Sequence, residues 1–436
     1  MNDGRRHGSL VVIGAGPVGM VSALLLRERF DQVVVLERQS KERFLETRGF
    51  TFPIVLSPAA GSVLGRVGAW DAINAERSPY FGVVVHKRVL GRDLRWTARR
   101  ADVYSHWRNH IVAALHDRLV EEGIEVVFGA RLESIDFESR VCTIAGDTEI
   151  PYDLLLGADG MHSQTRSLMA SDHPEHGADA FATEALDRWY AYRVPSVGEI
   201  DELYGNAADG VALHVHVDNL PHAPNEKLRV VTVGMTSPER EVSVVIKHGQ
   251  EVTLDRLKEL NAAFFGPLVD DGVLDDEWRV GVGGEYQHVM APTFGRGAAL
   301  LVGDAAHGFE GNGDLINLGI GSIAALPKLL DEYDDIRQVV SRYDETVGSS
   351  LRDYSSFAMR RSREKINFEV AMYEGGALLG INGHHPSFWG IYEEGFEIGP
   401  YMARYHRIRR RNKVVVGAIG LMSVLALSRM FGKSLR

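Results

Sequence analysis

The chain has 436 residues, of which 45% are hydrophobic and 25% charged, a balance that excludes a disordered chain and leaves room for more than one domain. Its 48 Lys and Arg stand against 59 Asp and Glu; the resulting net charge of -11 excludes a fold-wide nucleic-acid surface. Cys142 is the only cysteine, so an internal disulfide framework is excluded, and no Cys/His spacing matches a zinc site.

Residues 1–8 are short and polar and lack the apolar stretch of a signal peptide, which predicts a cytoplasmic protein. Ser9–Ile13 is an apolar run that ends in glycines and predicts a buried parallel strand. Val18–Arg29 has helical spacing, and Val33–Leu36 predicts a second buried strand, completing a βαβ unit. Arg108–Glu122 predicts an amphipathic helix with Ile111, Leu115 and Leu119 on one face. Leu154–Leu156 and Leu300–Val302 predict two more short strands. Between about 179 and 284 the pattern alternates with period two, as in Leu213, Val215 and Val217, which predicts an antiparallel sheet. From Ala324 onward the pattern is mostly helical.

Three clusters carry chemistry. In Gly14-Ala-Gly16-Pro-Val-Gly19 the first glycine allows the turn, the second lets a pyrophosphate approach the backbone, and the third lets the helix pack closely. The helix that follows offers free N–H groups and a positive dipole end to phosphates. Glu37, followed by Arg38, ends the second strand where a ribose-binding acid belongs. The second cluster is a strand ending in a turn that holds Asp159 and Gly160, with Ser163 and Arg166 opening a helix. In the third, Gly303 and Asp304 follow a strand, and a carboxylate there can hold a ribityl hydroxyl. Asn317 and Gly319 then open a helix whose N-terminus can stabilise negative charge on a reduced ring. His307 reads as structural rather than catalytic. Gly281-Val-Gly-Gly284 lacks a strand-helix context and reads as a loop, so no second dinucleotide turn is expected.

Taken in this order and spacing, the three clusters resemble those of the single-component FAD aromatic hydroxylases of the para-hydroxybenzoate hydroxylase type. The resemblance implies an α/β fold: a Rossmann-type FAD-binding domain (1–75, 97–178, 285–325) interrupted by an antiparallel β-sheet substrate lobe (76–96, 179–284), then a helical region with a basic and apolar tail (326–436). It adds Arg108, at the start of its helix, to the FAD-contacting set. It implies NADH or NADPH as co-substrate and O2 as oxidant, with hydroxylation or epoxidation of an electron-rich aromatic through a flavin C4a-hydroperoxide.

Arg48–Ser57, Asp353–Arg360, Tyr392 and the basic tail are similar to the kynurenine 3-monooxygenase branch. The resemblance makes Asn317 and Tyr392 the candidate catalytic residues. The carboxylate-binding arginine of that branch falls on Val83 or its neighbours, and an asparagine falls on Ser355. An indole- or aniline-like substrate is therefore expected in place of kynurenine. The segment Gly308–Ile316 is one residue shorter than in the family and lacks its proline, which leaves a non-oxygenating FAD-binding protein as one alternative; kynurenine 3-hydroxylation proper and a flavin reductase are the others. Six basic residues between Arg404 and Lys413 precede the apolar run Val414–Leu427, which is too short for the roughly 20 residues of a membrane span. Packing on the protein body is expected, with weak peripheral membrane contact as the alternative.

Overall fold

The computed structural model describes residues 6–46, 53–89, 92–172, 181, 183–195, 211–217, 229–233, 241–248, 254–260, 262–270, 272, 282–309, 314–363, 391 and 395–411. A six-stranded sheet forms its centre, in the order Gly295–Arg296, Ala299–Leu301, Leu154–Gly157, His7–Ile13, Phe30–Glu37 and Glu125–Phe128. All pairings are parallel except the edge hairpin Gly295–Arg296/Ala299–Leu301. Leu10, Val11, Val12 and Leu154–Leu156 are buried, which is why these strands read as unbroken apolar runs.

The strand His7–Ile13 has Phe30–Glu37 on one side and Leu154–Gly157 on the other, so the strand order reverses there. In open α/β sheets a reversal opens a crevice at the carboxyl ends of the strands. All three glycine-rich clusters emerge at that end. The helices Pro17–Leu26 and Arg108–Glu121 flank the sheet, the second burying Ile111, Val112, Leu115 and Leu119.

A second sheet has nine strands, among them Ser78–Val89, Arg92–Trp107, Glu184–Pro195, Val211–Val217, Arg229–Val233 and Glu241–His248. It is antiparallel with one exception that the alternating pattern did not reveal: Val211–Val217 runs parallel to Ser78–Val89. Side-chain alternation reports which face is wet and carries no information on strand direction. The glycines expected to form a loop at 281–284 instead fall largely in the strand Val282–Met290, where Gly283 and Gly284 pair with Tyr190 and Trp189. Two short helices, Leu254–Leu260 and Ala262–Asp270, break the same stretch of chain.

The helical region comprises Leu326–Glu332, Ile336–Tyr343 and Ser349–Arg363, joined by a π-turn at Asp344–Gly348, and a helix over 398–411. The last of these buries Tyr401, Met402 and Tyr405, with Tyr405 4.8 Å from Phe357 and His406 2.5 Å from Asp353. That contact supports packing for this part of the tail. The run Val414–Leu427 lies outside the described residues. Among the described residues no helix is long and apolar enough to cross a membrane.

Candidate active site

Gly14 turns the chain out of the first strand with φ +101°, and its N–H donates to the Leu36 carbonyl at 2.7 Å. A Cβ at Gly14 would lie 2.6 Å from the Ala158 carbonyl oxygen; one at Gly19 would lie 2.1 Å from the Gly14 carbonyl oxygen. Both glycines therefore hold the strand, the helix and the Asp159 turn together. Gly16 differs. A Cβ there would meet no atom within 4 Å, so the space above it is open.

Glu37 is buried and anchors this loop. One carboxylate oxygen accepts from the Ala15 N–H at 2.9 Å, the other from the Gln39 N–H at 2.9 Å. A carboxylate has about four acceptor positions, so both oxygens keep capacity for a hydroxyl. Arg38 is exposed beside it.

In the Asp159 turn the carboxylate accepts from the Ser163 hydroxyl at 2.5 Å, the Thr165 N–H at 3.0 Å and the Thr165 hydroxyl at 3.1 Å. Ser163 in turn caps the helix Gln164–Ser171 by accepting from the Arg166 N–H. Asp159 thus organises the helix start. The motif reading quoted Arg166 without a role, and the structure supplies one. Its buried guanidinium donates to the Ala305 carbonyl at 3.0 Å and to the Met161 carbonyl at 2.7 Å, joining the second cluster to the third. Burial lowers its pKa, and the charge of Asp159 opposes that shift.

Gly303 has φ +60°, and a Cβ there would sit 3.2 Å from Val18; a Cβ at Gly319 would sit 2.7 Å from Val18 and 3.5 Å from the Gly303 Cα. Val18, an unremarkable position inside the first motif, is therefore the point where three elements meet. Asp304 follows in a short 3-10 turn, its carboxyl pushed up to about 6 by burial while the charge of Arg108 pulls it down. Arg108 opens the helix Arg108–Glu121, and burial lowers its pKa while Asp304 raises it. The two charges face one another at the strand ends.

Asn317, in the helix Asp314–Ile323, is buried and committed to backbone. Its amide donates to the Val55 carbonyl at 2.8 Å and accepts from the Ser57 N–H at 2.7 Å. His307 is buried against Phe294, and burial lowers its pKa to about 4, which favours the neutral ring. Ser355 is fully buried, with no hydrogen-bond partner for its hydroxyl among the described residues. Val83 pairs through its backbone with Ala98 and Leu213. Tyr392 and residues 310–313 of the altered segment lie outside the described residues. Among the described candidates, Gly14, Gly19, Gly303 and Gly319 make close approaches between elements and Glu37 bonds the glycine loop, whereas Gly16 faces open space, Asp159 bonds within its own turn and Arg38 is exposed.

The pattern of the FAD binding domain family matches residues 8–338. The chain belongs to this family. Kynurenine 3-monooxygenase of Xanthomonas axonopodis pv. citri (strain 306) is 27% identical over 358 residues, covering 77% of this chain and 74% of the relative. The same enzyme of Phaeosphaeria nodorum is 25% identical over 397 residues, covering 81% and 77%. Among solved structures, a tetrameric 2-methyl-3-hydroxypyridine-5-carboxylic acid oxygenase matches with a TM-score of 0.63 at 18% identity, covering 83% of this chain and 94% of that one. A variant of HpxO from Klebsiella pneumoniae, complexed with FAD, matches with a TM-score of 0.62 at 16% identity, covering 86% and 97%. The resemblance to FAD-dependent aromatic hydroxylases stands, and the protein is an enzyme of the FAD-dependent monooxygenase family. The open space over Gly16 fits its cofactor, because a pyrophosphate needs bare backbone there.

Proposed function

We propose that the enzyme draws reducing equivalents from NADH or NADPH and uses O2 to hydroxylate or epoxidise an electron-rich aromatic of the indole or aniline kind. The observation that carries this reading is the convergence of the Gly14–Gly19, Asp159 and Gly303–Asp304 turns at the strand-order reversal. Bound FAD supplies the electron transfer and the activation of O2. The chain supplies binding and orientation. Gly16 leaves room for the pyrophosphate, Glu37 offers its remaining lone pairs to ribose hydroxyls, and Asp304 offers a carboxylate to the ribityl chain. Arg108 offsets the charge of Asp304, and the start of the helix Asp314–Ile323 favours negative charge on a reduced ring. Asn317 acts by holding residues 55–57 against that helix start. The nine-stranded sheet serves as the substrate lobe.

The similarity to kynurenine 3-monooxygenases supports an aromatic amine or a related ring. The absence of an arginine at Val83 supports a neutral substrate over an amino acid, since a buried carboxylate needs a charged partner. The side chain of Val83 and residue Tyr392 lie outside the described residues. The test is NADH and NADPH consumption by FAD-loaded enzyme, with hydrogen peroxide release, against indoles, anilines, phenols and L-kynurenine. Substrate-dependent oxidation yielding a hydroxylated neutral aromatic is expected. Tight coupling with L-kynurenine at low KM would overturn the substrate reading. Flavin without any NAD(P)H oxidation would overturn the oxygenase reading.

A further inference from the structure

On the far side of the helix Asp314–Ile323 from the glycine loop lies a cavity of about 630 Å³, within the range of small-molecule sites. One face of that helix packs on Val18 through Gly319; the opposite face, with Leu318 and Gly321, forms a wall of the cavity, continued by Ala325 just beyond the helix end. The other walls come from the start of the helix Pro58–Arg66, the π-turn, the start of the helix Ser349–Arg363, and residues 395–400.

The chemistry of the walls selects a ligand. The hydroxyls of Ser322, Ser350 and Thr346 donate to the carbonyls of Gly319, Thr346 and Arg342 at 2.9, 3.0 and 2.6 Å. The Asn317 amide is held by Val55 and Ser57. These three hydroxyls have spent their donors on the protein, and the walls turn chiefly apolar surface inward, with Val63, Val347 and Phe396 among them. The charged lining residues, Arg66 and Glu397, are both exposed, so no buried charge waits for an ionic partner.

Gly321 stands in this wall. Glycine is unfavourable within a helix, and close packing explains it at Gly319, but a Cβ at Gly321 would meet no atom within 4 Å. A side chain there would take up cavity volume. We infer that this cavity is a second binding site, separate from the cofactor crevice, for an uncharged and largely apolar small molecule. The site stands whatever reaction the crevice performs, and Asn317 links the two.

The test titrates the FAD-loaded enzyme with para-phenylphenol as the neutral probe and para-phenylbenzoate as its anionic counterpart, following binding by calorimetry. Saturable one-to-one binding of the neutral probe is expected, at least tenfold tighter than that of the anion. Gly321→Leu should weaken it at least tenfold while FAD content stays unchanged and the melting temperature holds or rises. Gly16→Leu, which blocks the cofactor crevice, should leave it intact. Absence of saturable binding, equal binding of the anion, insensitivity to Gly321→Leu, or loss on Gly16→Leu with the fold retained would each overturn the inference.

Discussion

The guanidinium of Arg166 donates to the carbonyl of Ala305, 139 positions later, at 3.0 Å. With its second bond, to Met161 at 2.7 Å, it fixes the distance between the turn that carries Asp159 and the turn that carries Asp304. Two turns on neighbouring strands are thereby tied together.

Replacing Arg166 with Met should therefore cost both stability and cofactor. Each charge-assisted bond to a carbonyl contributes about 1.5–3 kcal/mol, and the carbonyls left behind are desolvated, so a loss of about 2–4 kcal/mol is expected. Urea unfolding and the flavin absorbance of the purified variant check it. A variant with wild-type midpoint and full FAD would show that the clamp is dispensable.

The parallel sheet was legible because its strands are buried on both faces and follow one another as apolar runs ending in glycine, as at Ile13–Gly14 and Leu156–Gly157. The glycine loop was legible because Gly14 and Gly19 answer local needs of the backbone and Gly16 falls between them at the motif's spacing. Long-range side-chain bonding was not. Nothing near Arg166 in sequence announces Ala305, and nothing about Val18 announces that Gly303 and Gly319 will close on it. The parallel pairing of Val211–Val217 with Ser78–Val89 was hidden for a related reason, since period-two alternation is the same in either direction. The commitment of Asn317 to the backbone of residues 55–57 was hidden in the same way.

That commitment makes a prediction separable from catalysis. Asn317→Ala should destabilise the protein by about 1–3 kcal/mol even without FAD, because the Ser57 N–H and the Val55 carbonyl lose a partner in a buried setting. Chemical unfolding of the flavin-free protein measures it. Unchanged stability with lost turnover would return Asn317 to a directly catalytic role.

Asp304 sets a pH dependence. Its carboxyl titrates near 6 in the folded protein, above the ordinary value of 3.8, mainly because burial penalises the charged form. The folded state then holds more protons than the unfolded chain between those two values, so stability is greatest at the acid end and declines as pH rises through about 6. Asp304→Asn should flatten this slope in the flavin-free protein. Urea midpoints at several pH values between the two titrations decide it; identical slopes in wild type and variant would place the titrating group elsewhere.

Gly14→Ala and Gly19→Ala should both damage the fold itself. The first forces a side chain into the left-handed region and toward the Ala158 carbonyl, the second drives a methyl into the Gly14 carbonyl. Low soluble yield or a lowered melting temperature in the absence of FAD is the expected outcome. Normal flavin-free stability in both would mean the loop is softer than its geometry indicates.

The central claim, that the open space above Gly16 receives the cofactor's pyrophosphate, is tested most directly by measuring FAD content and flavin-free melting temperature together in Gly16→Leu. The leucine meets no protein atom at its Cβ, so the flavin-free protein should melt within a few degrees of wild type. Purified from cells, it should carry no flavin and fail to bind added FAD. A Gly16→Leu protein that holds FAD as tightly as wild type would contradict the account.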